Sequence, residues 1–519
     1  MTVAPDVIVV GSGPAGVSAA WPLVLAGLRV LMLDGSKTQT ARAPSRENWK
    51  LRFGADFRGL ELDSDVSPKL ATPLAHETRE NYESRLSLGT RNFHAVGSLG
   101  RGGLSKIWGA LAEPFAADEL ARFPFSAETL APHYAAVQRR IGVSSGADSD
   151  AAILTSPVAR KLLETHRRRA PASGFEMHPA CNAVLAQPLE DRDGCNRCGD
   201  CLYGCPRGAI YDSALELPAL GRFVNFTYAP DHFVRSLGKE GGQPRVEVET
   251  NGMRSTIVAR AVVLAAGAIS TTALALRRVG HVGRPVRLLS NPTAATAYLS
   301  PMFVGADKPQ DAFSLGQLFF RLDIKAGRAA GVVYGADALP ADLFAARLPF
   351  SRPYALRVAR ALAPALLVAT CYAPGALSSN EIVVHDNDGE PRIALKGEQT
   401  AAGRAALDEA LGALRKGFLS LGALPVPGST SFLPSGADVH YGGTLPMGGE
   451  GPSATSISGE LAGAPGVYVA DGACLPDLAA THPTLTIMAN ADRIAKEIAR
   501  RFRSNEIDEA GARTLRASV

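Results

Sequence analysis

Four cysteines stand close together at Cys195, Cys198, Cys201 and Cys205, in a C-x2-C-x2-C-x3-C run followed by Pro206. At such spacings several thiolates turn inward from one tight loop, as the face of an iron–sulfur cluster requires, and the same run holds clusters in bacterial ferredoxins. In two-cluster ferredoxins the fourth cysteine serves the other cluster. Here there is one run, so either Cys205 completes a four-iron cluster or Cys181 is the remote ligand, and three ligands alone would hold a three-iron cluster. Zinc also accepts four thiolates, but structural zinc usually pairs two knuckles across a longer loop. Disulfides would need an oxidising compartment, and a run that binds no metal is the remaining reading. Five of the seven cysteines fall between 181 and 205, and in a reducing compartment such clustering points to metal.

The second group with chemistry in it is a glycine turn. Asp6-Val7-Ile8-Val9-Val10 reads as a β-strand and runs directly into Gly11-Ser12-Gly13-Pro14-Ala15-Gly16, which opens a helical stretch over 17–27; a second apolar run, 28–33, ends in Asp34. Strand, GxGxxG turn, helix, strand and acid in this order form the dinucleotide fingerprint. Gly11 permits the tight turn, Gly13 lets backbone approach a pyrophosphate, and Gly16 lets helix pack on strand. Phosphate charge then sits at the helix N-terminus, and Asp34 would take ribose hydroxyls.

These groups need a scaffold. With 519 residues, 46% apolar and 20% charged, the chain is an ordinary globular protein of about three domains by length. A net charge of +4 is too small to argue for nucleic acid, and no apolar stretch is long enough to span a bilayer. The first strand begins within five residues of the start, which leaves no room for a signal peptide and makes the cytoplasm the expected location. Residues 36–60, with Arg42, Arg46, Lys50 and Arg52, read as a loop over the nucleotide site or a solvated surface. The stretch 96–109 holds five glycines, Gly102 and Gly103 among them, a density that lets backbone come close to a ligand. Strands are expected over 226–237, 245–250 and 257–265, the last ending at Gly267 in a second strand–glycine–helix junction. Between 290 and 430 strand-like runs (312–322, 380–385) surround a helical insertion, 339–367, whose Arg347, Arg352, Arg357 and Arg360 alternate with apolar residues. That insertion fits a membrane-touching surface, the cover of a substrate pocket, or a core-facing helix pair. The polar tail beyond Arg503 is expected to fray.

Two C-terminal segments fix the class. One is Asp438-Val439-His440-Tyr441-Gly442-Gly443-Thr444-Leu445-Pro446-Met447-Gly448; the other runs from Gly466 through Asp471-Gly472 to Thr481-His482-Pro483-Thr484. Together with the N-terminal turn, they resemble the glucose–methanol–choline (GMC) oxidoreductases, flavin enzymes with HxxGTxxMG, a short strand ending in Asp-Gly, and a second His or Asn before Pro-Thr. The pairing with the cysteine run is similar to bacterial FAD-dependent sugar dehydrogenases that carry an iron–sulfur cluster.

The resemblance implies an α/β fold: a Rossmann-like FAD-binding domain of the GMC type with a discontinuous substrate domain on an antiparallel sheet. The FAD-binding part would comprise 1–290, with the cysteine-rich loop 181–206, and 431–505; the substrate domain would be 291–430 and the tail 506–519. It places Gly11, Gly13 and Gly16 at the FAD pyrophosphate, Asp34 at the adenosine ribose, and Gly102, Gly103 and Ser105 along pyrophosphate and flavin. Val234 would contact adenine through its backbone, Gly267 at the second glycine junction would also line the cofactor, and Asp471 with Gly472 would hold the ribityl chain. Where part of the family has a flavin-linked histidine this chain has Ile107, so FAD is expected to be non-covalent. His440 and His482 would face the flavin. Imidazole titrates near neutrality and suits removal of a hydroxyl proton, so His440 is the base and His482 hydrogen-bonds the oxygen as it becomes an alkoxide.

The implied reaction is oxidation of a sugar, glycoside or other alcohol to a carbonyl, with electrons leaving through a cluster to a cytochrome, quinone or redox protein. Three rival readings stand beside it: a cluster-free oxidase of aliphatic, aromatic or sterol alcohols, a redox-neutral isomerase or lyase using His440, and a non-catalytic electron-transfer or scaffold subunit. Peripheral membrane contact through 339–367 is the remaining expected partner.

Overall fold

The computed structural model describes residues 4–35, 70, 72–144, 153–169, 174–307, 309–338, 345, 348–387 and 389–517. The basic stretch 36–60 and Arg347 lie outside them.

Val7–Val10, four consecutive buried β-branched residues, form the centre of a five-stranded parallel sheet. A strand buried on both faces reads as a continuous apolar run. Its neighbours are Val30–Leu33 and Ala261–Leu264, and the edges are Phe226–Ala229 and Val467–Val469. One sheet thus draws strands from both ends of the chain, so the C-terminal Asp-Gly arrives beside the N-terminal glycine turn. The helix Pro14–Leu25 packs on the C-terminal helix Thr484–Ala517. That helix continues past Arg503, where polar composition predicted fraying.

A second, antiparallel sheet supplies the other wall of the site. Its central strands are Thr293–Leu299, Leu366–Tyr372, Gly327–Gly335 and Leu318–Ile324. Phe175–Pro179 crosses from the expected FAD-binding range to join it, so this sheet is assembled from more of the chain than 291–430. One face packs against the helices Pro157–Arg168 and Ala401–Ser420 through Ala294, Tyr298, Leu367, Ala369 and Cys371. The other face is turned toward the parallel sheet.

The mixed α/β architecture agrees with the expected fold class, and element bounds differ where proline intervenes. The strand predicted over 226–237 is broken after Ala229 by Pro230 and by Asp231 at φ 58°, and resumes at Phe233–Glu240. Of the helical insertion expected over 339–367, the described residues include a helix over Arg352–Leu362, with Pro353 in its first turn and Pro364 after its last. The strand expected at 312–322 starts at Leu318. Among the described residues, no helix is long and apolar enough to cross a membrane.

Candidate active site

The glycine turn folds as its sequence requires. Gly11 has φ 101°, and a Cβ on Gly16 would stand 1.9 Å from the Gly11 carbonyl oxygen, a close approach that only glycine allows. A Cβ on Gly13, by contrast, would meet nothing within 4 Å; that position opens into a cavity of about 1240 Å³. Gly103 closes over Gly13, its own virtual Cβ 3.3 Å from the Gly13 Cα. Gly102 donates its N–H to Ser12 Oγ at 2.9 Å, and the buried Ser105 hydroxyl donates to the Gly102 carbonyl at 2.6 Å. The two glycine loops therefore form one cradle.

Asp34 is buried behind it. It accepts the Ser12 N–H at 2.8 Å and the Tyr228 hydroxyl at 2.7 Å, and it also takes the Ser12 hydroxyl. Burial raises its pKa against these bonds. Asp471 is similarly engaged: it accepts Gly267 N–H at 2.9 Å and Ala473 N–H at 3.0 Å, and burial pushes it up to about 6. Val234, Gly267, Asp471 and Gly472 line the cavity that Gly13 opens into. All the residues assigned to the cofactor from sequence except Gly16 and Gly102 touch this one space, and those two support it from behind.

The same cavity holds both histidines. The rings of His440 and His482 lie 4.7 Å apart at 72°, and Tyr372 stands against both, 5.3 Å from His440 and 4.8 Å from His482. The His440 Nδ1 lies 3.1 Å from Asn291 Oδ1. The Asn291 amide nitrogen donates to the carbonyls of Ala373 and Ala479, each at 2.9 Å, which fixes the amide with its oxygen toward the imidazole. An amide oxygen only accepts, so Nδ1 carries the proton and Nε2 is the basic nitrogen of the neutral ring. Burial lowers the His440 pKa to about 3, and burial followed by the neighbouring His440 takes His482 well below its usual value. Both rings are neutral at pH 7.

Asp438 completes this end. Its Oδ2 accepts the Asn291 backbone N–H at 2.7 Å and lies 3.8 Å from His440 Nδ1. Burial pushes the carboxyl up to about 8, so at neutral pH this approach joins two neutral groups and is not an ion pair. Asp438 Oδ1 and His482 Nδ1 are buried with no hydrogen-bond partner among the described residues. Val439, between acid and base, has φ 60°, an outlier for a β-branched residue of the kind stored at functional sites. Sequence reading missed Asn291, Asp438 as a participant, and Tyr372. The Asn291 contact spans 149 positions, and no local pattern reports it.

The cysteines of the run differ in exposure. Cys201 is buried and Cys198 exposed, and Cys195 Sγ accepts the Arg197 N–H at 3.3 Å. The short turn Cys201–Tyr203 brings Leu202 to the wall of the main cavity. Cys181 lies with Glu113 and His178, the one group of such ligands among the described residues whose ligand atoms all stand within 4.8 Å of one another. The run 195–205 does not converge that tightly, which disfavours a single zinc ion. The helix Arg352–Leu362 covers the cavity, with Ala359 and Leu362 in its lining, and Tyr354 faces outward, 64% exposed.

Comparison with known proteins agrees with this geometry. The chain is 26% identical to paromamine 6'-oxidase of Streptomyces fradiae over 95% of this chain and 91% of that protein. It is 33% identical to C-glycoside 3-oxidase of Microbacterium trichothecenolyticum over 24% of this chain and 25% of that protein. Its fold is shared with the crystal structure of pyridoxine 4-oxidase from Mesorbium loti, at a TM-score of 0.61 and 16% identity over 95% of this chain and 99% of that one. The family model described as GMC oxidoreductase matches residues 373–491, and the segment that supplies Asp438, His440, Asp471 and His482 therefore belongs to the GMC oxidoreductase family.

Proposed function

We propose that this protein is an FAD-dependent oxidoreductase that converts a hydroxyl group of a sugar-like alcohol to a carbonyl. The observation that carries the reading is the confluence of a two-loop glycine cradle and a neutral His pair in one cavity. The cradle fits a dinucleotide. Gly13 presents backbone to open space, Gly103 faces it, and Asp34 and Asp471 are held at separate points along the same wall. FAD bound there would supply the hydride acceptor. His440 Nε2, freed by the Asn291 contact, takes the hydroxyl proton, and His482 donates to the oxygen on which charge develops. Tyr372 packs on both rings and holds their mutual angle. The two curated relatives are named for oxidation of a sugar derivative and a glycoside, which supports a sugar-like substrate. The fold division into a cofactor part and a substrate part remains part of this reading, with Phe175–Pro179 added to the substrate part.

The cysteine run belongs to the same proposal as an electron exit. Its spacing suits an iron–sulfur cluster, and Leu202 beside Cys201 reaches the cavity wall, so electrons would have a short path from the cofactor pocket to the surface at Cys198.

Anaerobic purification, an absorbance spectrum, acid release of flavin, and iron and sulfide analysis test both parts. Released FAD is expected, with bleaching of its absorbance by at least one hydroxyl compound of a sugar panel and formation of the carbonyl. About three to four irons per chain are expected for the cluster. FAD without iron would remove the electron exit and leave alcohol oxidation to oxygen. No bleaching by any hydroxyl compound would overturn the proposal.

A further inference from the structure

The wall of the cavity that faces the His pair is one side of the antiparallel sheet, and its composition changes along its length. The register pairs Thr293 with Tyr372, Ala295 with Thr370, Ala297 with Val368, and Leu299 with Leu366, and all eight line the cavity. Successive side chains of a strand alternate faces, and the intervening Ala294, Tyr298, Leu367, Ala369 and Cys371 are packed into the core on the other side. The first pair touches the histidines through Tyr372. The last pair stands six residues away, roughly 20 Å at the ~3.4 Å rise per residue of an antiparallel strand.

On the two strands polarity falls along that distance, while the bordering loop adds the hydroxyls of Ser429 and Ser431 beside Ala297 and Ala295. Hydroxyls stand near the His pair, at Thr293, Tyr372 and Thr370, and aliphatic side chains stand beyond them, at Val368, Leu299 and Leu366. The small Ala295 and Ala297 leave width in the middle. Leu348 and Leu362 close over the apolar end. Among the described residues lining this wall, its helical cover and the loop 426–431, none is Asp, Glu, Lys or Arg. The outer rim beside that end is also apolar. Met302 is 67% exposed and Val304 46%, and they are tied to the end of the covering helix where the Gly305 N–H meets the Ala361 carbonyl at 2.9 Å.

A polycationic aminosugar would enter this end with no carboxylate among the described lining residues to receive it, and a small free sugar would leave it unfilled. An unpaired charge costs several kcal/mol in such a setting, whereas apolar surface is stabilised there. We infer that the substrate is an uncharged alcohol or glycoside whose reacting hydroxyl sits at one end of an extended apolar body, with that body lying along the sheet from Tyr372 to Leu299. The inference rests on the reading of the site as an alcohol-oxidising one, and it narrows the sugar-like class to molecules with an alkyl or similarly apolar portion.

The test is a chain-length series on the FAD-loaded protein: methyl, octyl and dodecyl glucosides below their micelle concentrations, and propanol and decanol in parallel. The glucoside arm and the alkanol arm tell whether the hydroxyl head is a sugar or the chain terminus. kcat/KM is expected to rise at least ~100-fold from methyl to octyl glucoside or from propanol to decanol, each buried methylene being worth roughly fourfold. The longer members should also raise the melting temperature of the unreduced protein, as any ligand of the folded state does. Ala297→Phe blocks the middle of the channel and is expected to bring the long-to-short ratio below about tenfold. Should that variant fail to retain FAD, Leu299→Glu, which places a charge at the apolar end, makes the same comparison. Flat chain-length dependence in both arms, with short alcohols bleaching the flavin, overturns this inference and leaves the proposed reaction standing. Absence of bleaching by every compound overturns both.

Discussion

The cradle and the His end lie in one cavity and treat their buried polar groups in opposite ways. At the cradle Asp34 and Asp471 are satisfied by the protein itself: each carboxylate receives backbone N–H and hydroxyl donors from neighbouring loops. At the His end Asp438 Oδ1 and His482 Nδ1 are buried without partners among the described residues, both rings are stripped of charge, and Val439 is held in a strained conformation. An unmade buried hydrogen bond costs ~1–3 kcal/mol. Of the three carboxyls in the cavity among the described residues, the one with an unmade bond is Asp438, where a reacting molecule would pass, and not Asp34 or Asp471, where a cofactor would be held. Groups that must shape a resident ligand are fixed in advance, and groups that must respond to a changing oxygen are left open.

The largest effect is expected at the open end. His440→Ala removes the proposed base while Asn291 and Asp438 remain, and it should lower kcat by about 10²- to 10⁴-fold, the range typical of a positioned general base. FAD content should stay at the wild-type level, because none of the hydrogen bonds that hold the glycine cradle involves His440. Stopped-flow reduction of the flavin by an alcohol measures the first quantity and acid-released flavin the second. Loss of FAD together with activity would erase the contrast between the two ends.

A smaller effect, on the cradle, isolates its role. A methyl group at position 13 meets no protein atom within 4 Å, so Gly13→Ala should leave the melting temperature of the cofactor-free protein unchanged. Overpacking against a bound ligand costs ~1–3 kcal/mol, so FAD affinity should fall about 10- to 100-fold. Equilibrium titration of the apoprotein with FAD reads this directly. Wild-type affinity would mean that the space in front of Gly13 is not where the pyrophosphate lies.

The two ends also differ in how far sequence exposes them. The cradle is legible because its constraints are local: positive φ at Gly11 and the 1.9 Å approach at Gly16 admit one residue type, and the β-branched run before them encodes a buried strand. His440 and His482 stand out in sequence through their motifs, yet the residues packed around them do not. Asn291 comes from the start of a strand far upstream, and Tyr372 from its hydrogen-bonded neighbour. The apolar channel was hidden for a related reason. A run such as Thr293–Leu299 announces a strand, but which face meets the core and which meets a substrate depends on the helix Ala401–Ser420 packing behind it. The proline breaks at Pro230 and Pro364 shortened elements whose apolar periodicity ran on past them.

The smallest effect concerns Asp438, and it decides whether the open end is tuned by charge. Its pKa is raised from 3.8 to about 8 by burial, so the carboxyl is protonated at neutral pH and ionises above pH 8. The anion then stands 3.8 Å from His440 Nδ1 and favours the imidazolium, which makes His440 a stronger base. kcat/KM should therefore rise through an inflection near pH 8, by up to about tenfold, since an opposite charge within ~4–6 Å shifts a pKa by ~1–3 units. Stability moves the other way. A group whose folded pKa lies above its unfolded one contributes stability that is complete below pH 3.8 and is lost as pH rises through about 8. Asp438→Asn keeps an acceptor for the Asn291 N–H and cannot ionise, so it should flatten both the rate inflection and the loss of melting temperature between pH 3.8 and about 8. Persistence of the inflection in that variant would assign it to another group and leave Asp438 as a buried spacer between Asn291 and the base.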